Sequence, residues 1–352
     1  MRISCWRASA VARYILRRLL LMILVLFGMS VITFALTHVV PGNPARLLAG
    51  QHATQAQVEA VAKLYGLDRP VLEQYWIYIA GLFHGDLGMS LPTRRPVLDD
   101  LRQYLPATIE LTTAAILLVI GIGLPTGMLA AIRRGRPVDH LIRFFTVAGV
   151  SMPIFWFGIV LQIVFYRNLQ VLPIGGRLGI IDIEPPRVTG AYLVDSLLAG
   201  EVDTFLSALI HLILPAATLA AGSIAVVTRM MRASAIELLD ADHVRQARAK
   251  GLVELTILRR HVFRNALIPT TTVVGLQVGT LLAGNVLTEV VFNWPGIGLY
   301  AVNAIRYLDY AAIMGVTLIV STIYVFVNLV VDIAYVVLDP RISYGSAETS
   351  GR

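Results

Sequence analysis

Charge is scarce in this sequence. Only 14% of its 352 residues are Asp, Glu, Lys or Arg, where a soluble domain carries about a quarter. The hydrophobic set makes up 57%, and the mean hydropathy is +0.73. A soluble core of this size needs polar residues to cover it, and there are too few. The excess apolar surface has to face lipid. Cysteine is almost absent: Cys5 stands alone. That excludes a disulfide within the chain and any metal site built on cysteines, and we read Cys5 as incidental. Lysine is nearly missing as well. Lys63 and Lys250 are the only two among 29 basic residues, a bias given no mechanistic weight.

The signatures of several enzymes are absent too. No His is followed by Glu, so no HExxH zinc helix exists, and no GxSxG nucleophile elbow is found. No Gly-Lys dipeptide occurs, which removes the phosphate-binding P-loop. If ATP drives this protein, another chain binds it. The histidines His38, His52, His84, His140, His211, His243 and His261 are scattered without ligand spacing. We therefore expect no catalytic residue, no metal and no cofactor in this chain.

What the sequence has in abundance is long apolar runs. A helix that crosses the hydrocarbon layer needs about 20 mostly apolar residues. Six runs approach that length: Leu19–Leu36, Leu111–Ile132, Phe144–Tyr166, Thr204–Thr228, Asn265–Thr288 and Ala311–Val331. Pro269 and Thr270–Thr272 blur the start of the fifth. The first follows Arg13, Arg17 and Arg18 as a signal peptide would, but it is long for one and no convincing small-x-small cleavage site follows. We read it as a retained helix. The expectation is an all-α membrane protein of about six transmembrane helices.

The formal charge of +7 has two readings, a nucleic-acid surface or cytoplasmic loops beside anionic lipid. Placement favours the second. The N-terminal segment, the loop with Arg133, Arg134, Arg136 and Arg143, the loop Arg229–Arg264 and the C-terminal tail share one side of a six-span topology. They hold nineteen of the 29 basic residues. The opposite loops are longer, and one carries Asp182, Glu184, Asp195, Glu201 and Asp203. Both termini are expected in the cytoplasm of a prokaryotic cell, the chain being multi-pass in its inner membrane.

Four segments follow: 1–37, the N-terminus and first helix; 38–106, a long external loop; 107–338, a core of five spans; and 339–352, a cytoplasmic tail. The first loop is too long for a simple connection. Its Leu72, Tyr75, Trp76, Tyr78, Ile79 and Leu82 have helical spacing, so part of it should fold at the outer surface. The loop Arg167–Asp203 has Gly and Pro clusters at Pro173–Gly176 and Pro185–Pro186.

Polar groups inside apolar runs are costly. Gln162, His211, Gln277, Asn285 and Glu289 are the candidates for lining a pathway, with bonding between helices or an interfacial position as the plainer reading. Gly275, Gly279, Ala283 and Gly284 suggest close packing of the fifth helix.

The loop between the fourth and fifth runs is different. Val244, Ala247, Gly251, Leu255 and Leu258 are spaced for one helical face. Gly251 is a poor interior helix residue and marks a turn between two short helices. The plain reading is a solvated basic loop, and the sharper one a docking element.

Gln246-Ala247-Arg248-Ala249-Lys250-Gly251-Leu252, continuing to Arg264-Asn265-Ala266-Leu267-Ile268-Pro269, resembles the EAA loop of ABC importer permeases, in the form found in the dipeptide, oligopeptide and nickel branch. The generic motif opens Glu-Ala-Ala, here Gln-Ala-Arg. Pro41–Ala45, Leu67–Pro70, Gly85–Ser90 and Thr288–Gly298 resemble further segments of that family, so the likeness covers nearly the whole chain. The long first loop is similar to the B-type subunit. The resemblance implies a type I importer permease fold and a pore shared with a C-type homologue. It implies two cytoplasmic ATPase subunits, an external solute-binding protein and no nucleic acid. It also implies that Val244, Arg245, Ala247, Arg248, Ala249, Lys250, Gly251 and Leu252 couple the ATPases to the pore. A membrane enzyme with an unrecognised site and a secondary transporter are the alternatives. The first needs a polar cluster, the second more intramembrane ionisable groups than are seen. The cargo stays open among dipeptides, oligopeptides, nickel chelates, glutathione and sugars.

Overall fold

The structure, a computed structural model, describes residues 18, 20–35, 45–46, 53–64 and 66–338, without the side chains of 64, 283–285 and 331–338. Cys5, the arginines before Arg18, Pro41–Pro44, Ala283, Gly284, Asn285 and the tail after Leu338 therefore lie outside the described residues. Among the described residues no strand occurs beyond a single antiparallel bridge, Met89 with Pro96. The rest is helix and loop. The helices are α1 Leu20–Ala35 and α2 Gln55–Leu64, then α3 Val71–Phe83 and α4 Val97–Ile132. There follow α5 Pro137–Ser151, α6 Ile154–Asn168, α7 Tyr192–Ala199 and α8 Val202–Leu239. The last are α9 Asp242–Ala249, α10 Arg264–Val291, α11 Ile297–Arg306 and α12 Tyr310–Leu338.

Four described helical stretches are long and apolar enough to cross a membrane: α4, α8, Glu254–Leu282 and Tyr310–Val330. A bent pair, α5 with α6, makes a fifth if counted as one span. The first apolar run appears as α1, which falls short of spanning length within its described residues. One expectation needs correction. The run Phe144–Tyr166 is not one helix: α5 and α6 meet at 113°. Pro153 lacks an N–H and crowds the residue before it, and Met152 turns extended at ψ 131. The helix that carries the second run starts earlier than that run, at Val97, and Pro106 sits inside it.

The residues group into two compact units, one within Met1–Pro106 and Gly296–Val325, the other within Ala107–Pro295 and Phe326–Arg352. The first unit has a core of Leu87, Val97, Leu101, Ile297, Tyr300, Ala304, Ala312 and Val316. Its segment between α3 and α4 is folded back by two buried carboxylates. Asp309 caps α12 by accepting the Ala312 N–H at 3.1 Å, and also accepts the Ser90 hydroxyl at 2.7 Å and the Leu91 N–H at 3.0 Å. Asp100 accepts the Thr93 and Tyr300 hydroxyls at 2.6 and 3.2 Å. These bonds explain why Gly85–Ser90 is a fixed turn rather than a loose linker. Helix α3 holds the aromatic and apolar positions expected of it.

In the second unit, α4 packs along α8 with almost no side chain between them. A methyl placed on Gly127 would stand 2.7 Å from both the Met231 Cβ and the Thr228 carbonyl. One turn earlier, Gly123 meets Val227 at 3.1 Å. This is the close small-x-x-x-small approach used by helices in lipid. Thr126 and Thr228 hydroxyls bridge the pair at 3.0 Å. A close glycine approach between spanning helices thus lies on α4. On α10, Gly279 is buried and Gly275 half-buried.

Candidate functional site

The loop between α8 and α10 is built from the inside outward. Helix α9 starts after Ala241 and buries Val244 and Ala247. They join Met128 and Ala131 of α4, Met231 and Ala235 of α8, and Ile257, Val262 and Ala266 beyond the loop. Helix α9 ends in a Schellman turn. The Leu252 N–H reaches the Ala247 carbonyl at 3.3 Å, and the Gly251 N–H reaches that of Arg248 at 2.9 Å. Gly251 takes φ +76, the left-handed conformation such a turn needs. Open space surrounds it, so backbone conformation and not crowding selects glycine.

Past this turn the chain enters a short helix, Glu254–Thr256, and a π-helical stretch, Ile257–Phe263, that leads into α10. Of the five-residue helical face expected across the loop, Val244 and Ala247 are buried and Leu258 packs against the same cluster, while Gly251 and Leu255 are exposed. The turn at Gly251 resets the register. Leu255 is exposed, and Ile257 and Val262 take the buried places.

The remaining loop residues face outward. Arg245 bonds Asp242 at 3.0 Å and the Asp240 carbonyl at 3.2 Å. Arg248 reaches across the turn to Glu254 at 2.8 Å, and that bond raises its pKa. Ala249, Lys250 and Leu252 are exposed, and so are Val253 and Leu255. The tip therefore presents apolar side chains rimmed by cations.

The candidate pathway residues are engaged within the protein. Gln162 donates to the Ile174 and Val291 carbonyls at 2.8 and 3.1 Å. His211 Nδ1 lies 2.8 Å from the Ser207 carbonyl. Gln277 accepts the Ser223 hydroxyl of α8 at 2.8 Å. Glu289 is fully buried and accepts the Thr108 hydroxyl of α4 at 2.7 Å.

Sequence reasoning missed two ion pairs, one buried on both sides and one with only its carboxylate fully buried. Arg177 donates to Glu110 at 2.6 Å and to the Gly190 carbonyl at 3.0 Å, both side chains being buried. Its guanidinium lies 3.6 Å over the Tyr192 ring. The Tyr192 phenol is pushed up to about 12 by burial and then by its bond to Glu184, so it remains neutral there. The Leu193 N–H donates to the other Glu110 oxygen at 2.8 Å. Nearby, the Gly175 Cα approaches so closely that a methyl there would stand 2.1 Å from the Phe292 carbonyl, which accepts the Gly176 N–H at 2.9 Å. The second pair is Arg232 with Asp139, bidentate at 2.7 and 2.8 Å. One signal was visible: a lone acid immediately before an apolar run, Glu110. Its partner, 67 residues away, was not.

Helices of spanning length, with a helical loop anchored under two of them, define a multi-span membrane protein. Residues 123–344 match the family described as binding-protein-dependent transport system inner membrane component. Residues 11–112 match the corresponding N-terminal membrane-component family. The chain belongs to this family, the pore-forming permeases of ATP-driven importers. It is 49% identical to a "Probable D,D-dipeptide transport system permease protein" of Escherichia coli (strain K12), over 93% of this chain and 96% of that one. It is 45% identical to a di/tripeptide transport system permease protein of Pseudomonas aeruginosa (strain UCBPP-PA14), over 94% and 98%. It is 42% identical to a dipeptide transport system permease protein of Alkalihalophilus pseudofirmus, over 94% and 99%.

Proposed function

We propose that this chain forms one half of an importer pore for dipeptides or short oligopeptides, its other half being a C-type homologue. Two cytoplasmic ATPase subunits engage α9 and the tip that follows, and an external solute-binding protein delivers the cargo. The chain binds no ATP, needs no cofactor of its own and performs no covalent chemistry. Both termini lie in the cytoplasm. The names of the relatives support the peptide cargo, and the charge asymmetry supports the orientation.

The observation that carries the coupling role is the two-sided build of the loop. Val244 and Ala247 are sunk among Met128, Met231 and Ala235, while Leu252, Val253 and Leu255 stand exposed. An exposed apolar tip on a polar loop calls for a partner. A force applied to that tip reaches the ends of α4 and α8 through packed side chains.

The Gly251 conformation provides the test. A left-handed residue other than Gly or Asn costs about 1–2 kcal/mol, enough to reshape an exposed turn without unfolding the core. In the complex reconstituted in liposomes, Gly251→Glu should insert normally but lose peptide uptake and peptide-stimulated ATP hydrolysis. Gly251→Asn, which tolerates this conformation, should retain most of both. Normal uptake by Gly251→Glu would remove the turn from the coupling path.

A further inference from the structure

Helix α3 is a puzzle in water. Its sequence VLEQYWIYIAGLF has only Glu73 and Gln74 as charged or amide residues, yet none of its residues is buried. Thirteen apolar-rich residues hold a helix here while covering almost nothing of themselves.

One side of α3 rests on α1. The Tyr75 hydroxyl lies 2.9 Å from that of Ser30. The Tyr75 ring meets Phe34 at 5.2 Å and Phe27 at 6.5 Å, and Tyr78 stacks on Phe34 at 5.9 Å. Phe27, Ser30 and Phe34 are spaced three and four apart, one stripe of α1. At 1.5 Å per residue, Ser30 sits about 7 Å and Phe27 about 12 Å inside Ala35, the last described residue of that helix. Half of a hydrocarbon layer is about 15 Å. The contact therefore lies alongside the apolar residues of α1, not beyond its described end.

Another side of α3 is uncovered. Leu72, Trp76 and Phe83 are spaced four and seven apart, which puts them on one stripe, and they are 76%, 64% and 86% exposed. The flanks of α1 beside it are equally apolar and exposed, with Ile23, Leu24, Phe27 and Ile32 between 55% and 65%. The uncovered stripe of α3 thus stands beside an equally apolar, exposed surface of α1. Tyr75, Trp76 and Tyr78 are the residue types that collect at membrane interfaces.

We infer that α3 is an interfacial helix, lying in the outer leaflet against α1 with Leu72, Trp76 and Phe83 in the acyl chains. The occupant of its open face is lipid. Such a helix has a strong apolar side and polar residues at its edge. Here the edge is the Arg69–Glu73 ion pair at 2.8 Å, which stays in water. This inference rests on family membership in a membrane complex and is independent of how ATP is coupled.

The chain's single cysteine makes the test direct. In a Cys5→Ser background, spin labels are placed at Leu72→Cys, Trp76→Cys and, as a water-facing reference, Glu73→Cys. The full importer complex, without binding protein, is set in lipid nanodiscs. Collisions with oxygen, which concentrates in lipid, are compared with those of a water-soluble nickel chelate. Labels at 72 and 76 should show a several-fold higher oxygen-to-nickel ratio than the label at 73. Equal ratios would overturn the inference. So would shielding at 72 and 76 that appears only after binding protein is added, or low access to both reagents, which would mark a protein neighbour. A label-free check uses the native indole. The emission lost on Trp76→Phe, taken as the difference from wild type, should be quenched by lipids brominated on the acyl chain. No quenching would overturn the inference even if the cysteine variants failed to assemble.

Discussion

Removing the guanidinium of Arg177 should destabilise the second unit by about 3 kcal/mol. The pair it makes with Glu110 is buried on both sides, with the closest N···O distance at 2.6 Å. For charge centres about 4 Å apart at an effective dielectric near 20, the attraction is about 4 kcal/mol. Deleting one member of a buried pair generally costs about 3–5 kcal/mol, because the other charge is left in a dry place. Two features set this pair toward the low end. The Arg177 Nε has no hydrogen-bond partner, so the cation is not fully satisfied as it stands. After Arg177→Met, the Glu110 carboxylate would keep the Leu193 N–H at 2.8 Å. The methionine would also keep part of the apolar contact with Tyr192.

The assay is a thermal melt of the detergent-solubilised complex, followed by tryptophan emission. At about 2–4 °C per kcal/mol for a unit of this size, Arg177→Met should melt about 6–12 °C early. Glu110→Gln should behave similarly, since it strands the cation instead. The double variant Glu110→Gln/Arg177→Met has no buried charge and keeps a carbonyl for the Leu193 N–H. It should lie closer to wild type than either single change. A double variant that shows the simple sum of the two losses, or single changes that melt with wild type, would refute the buried pair as a coupled unit.

Gly127→Leu should separate α4 from α8, since even a methyl there stands 2.7 Å from the Met231 Cβ and the Thr228 carbonyl. The expected loss is about 1–3 kcal/mol, read as a lower melting temperature and reduced yield of assembled complex. Gly175→Ala should shift the loop between α6 and α7 off the end of α10, because the new methyl would overlap the Phe292 carbonyl. Faster proteolytic nicking between Asn168 and Tyr192 would report it. Asp195 sets a pH dependence. Burial raises its pKa, but bonds from the Thr189 hydroxyl and the N–H groups of Thr189, Gly190 and Val188 outweigh that, and the net shift is downward. Its folded pKa is below the unfolded one. The stabilisation is therefore complete above the ordinary carboxylate range and disappears as pH falls through the lowered value. Asp195→Asn should melt earlier at neutral pH and lose less than wild type on acidification.

The sequence made local features legible and left non-local ones hidden. The aromatic spacing of Leu72–Leu82 identified α3 because the 3.6-residue period needs only neighbours to be seen. Gly251 marked its turn because a glycine at the end of a polar helical pattern is the usual left-handed stop. The face reading failed four residues later, at Leu255, since a left-handed residue changes the phase of everything beyond it. Proline was an ambiguous sign. Pro106 and Pro215 sit inside continuous helices, while Pro153 breaks one. What differs is Met152, which has turned extended at the break. Glu110 with Arg177 and Asp139 with Arg232 were out of reach because a pair 67 or 93 residues apart leaves no periodic trace.

The Asp139–Arg232 pair bears on how the α9 end of the second unit can move. Arg232 lies on α8 one residue from Met231, which packs on Val244 and Ala247. Its bidentate bond ties α8 to the first turn of α5, and the same carboxylate accepts the Gly135 N–H at 3.0 Å. Two turns further along, Arg134 reaches Asp240 at 3.4 Å, an exposed contact of little strength. The bidentate bond is the firm one. It fixes both position and angle, where a single contact would leave α5 free to swivel. On the coupling reading proposed above, a displacement at α9 enters α8 beside Arg232. It then cannot move that helix end without carrying the loop Arg133–Arg136 and the start of α5. The bend at Met152–Pro153 lies at the far end of α5, and an extended residue next to a proline is a natural place for such a motion to be taken up. The charge pair and the helix break, each unexplained by spanning a membrane, have a shared rationale as the two ends of one rigid lever.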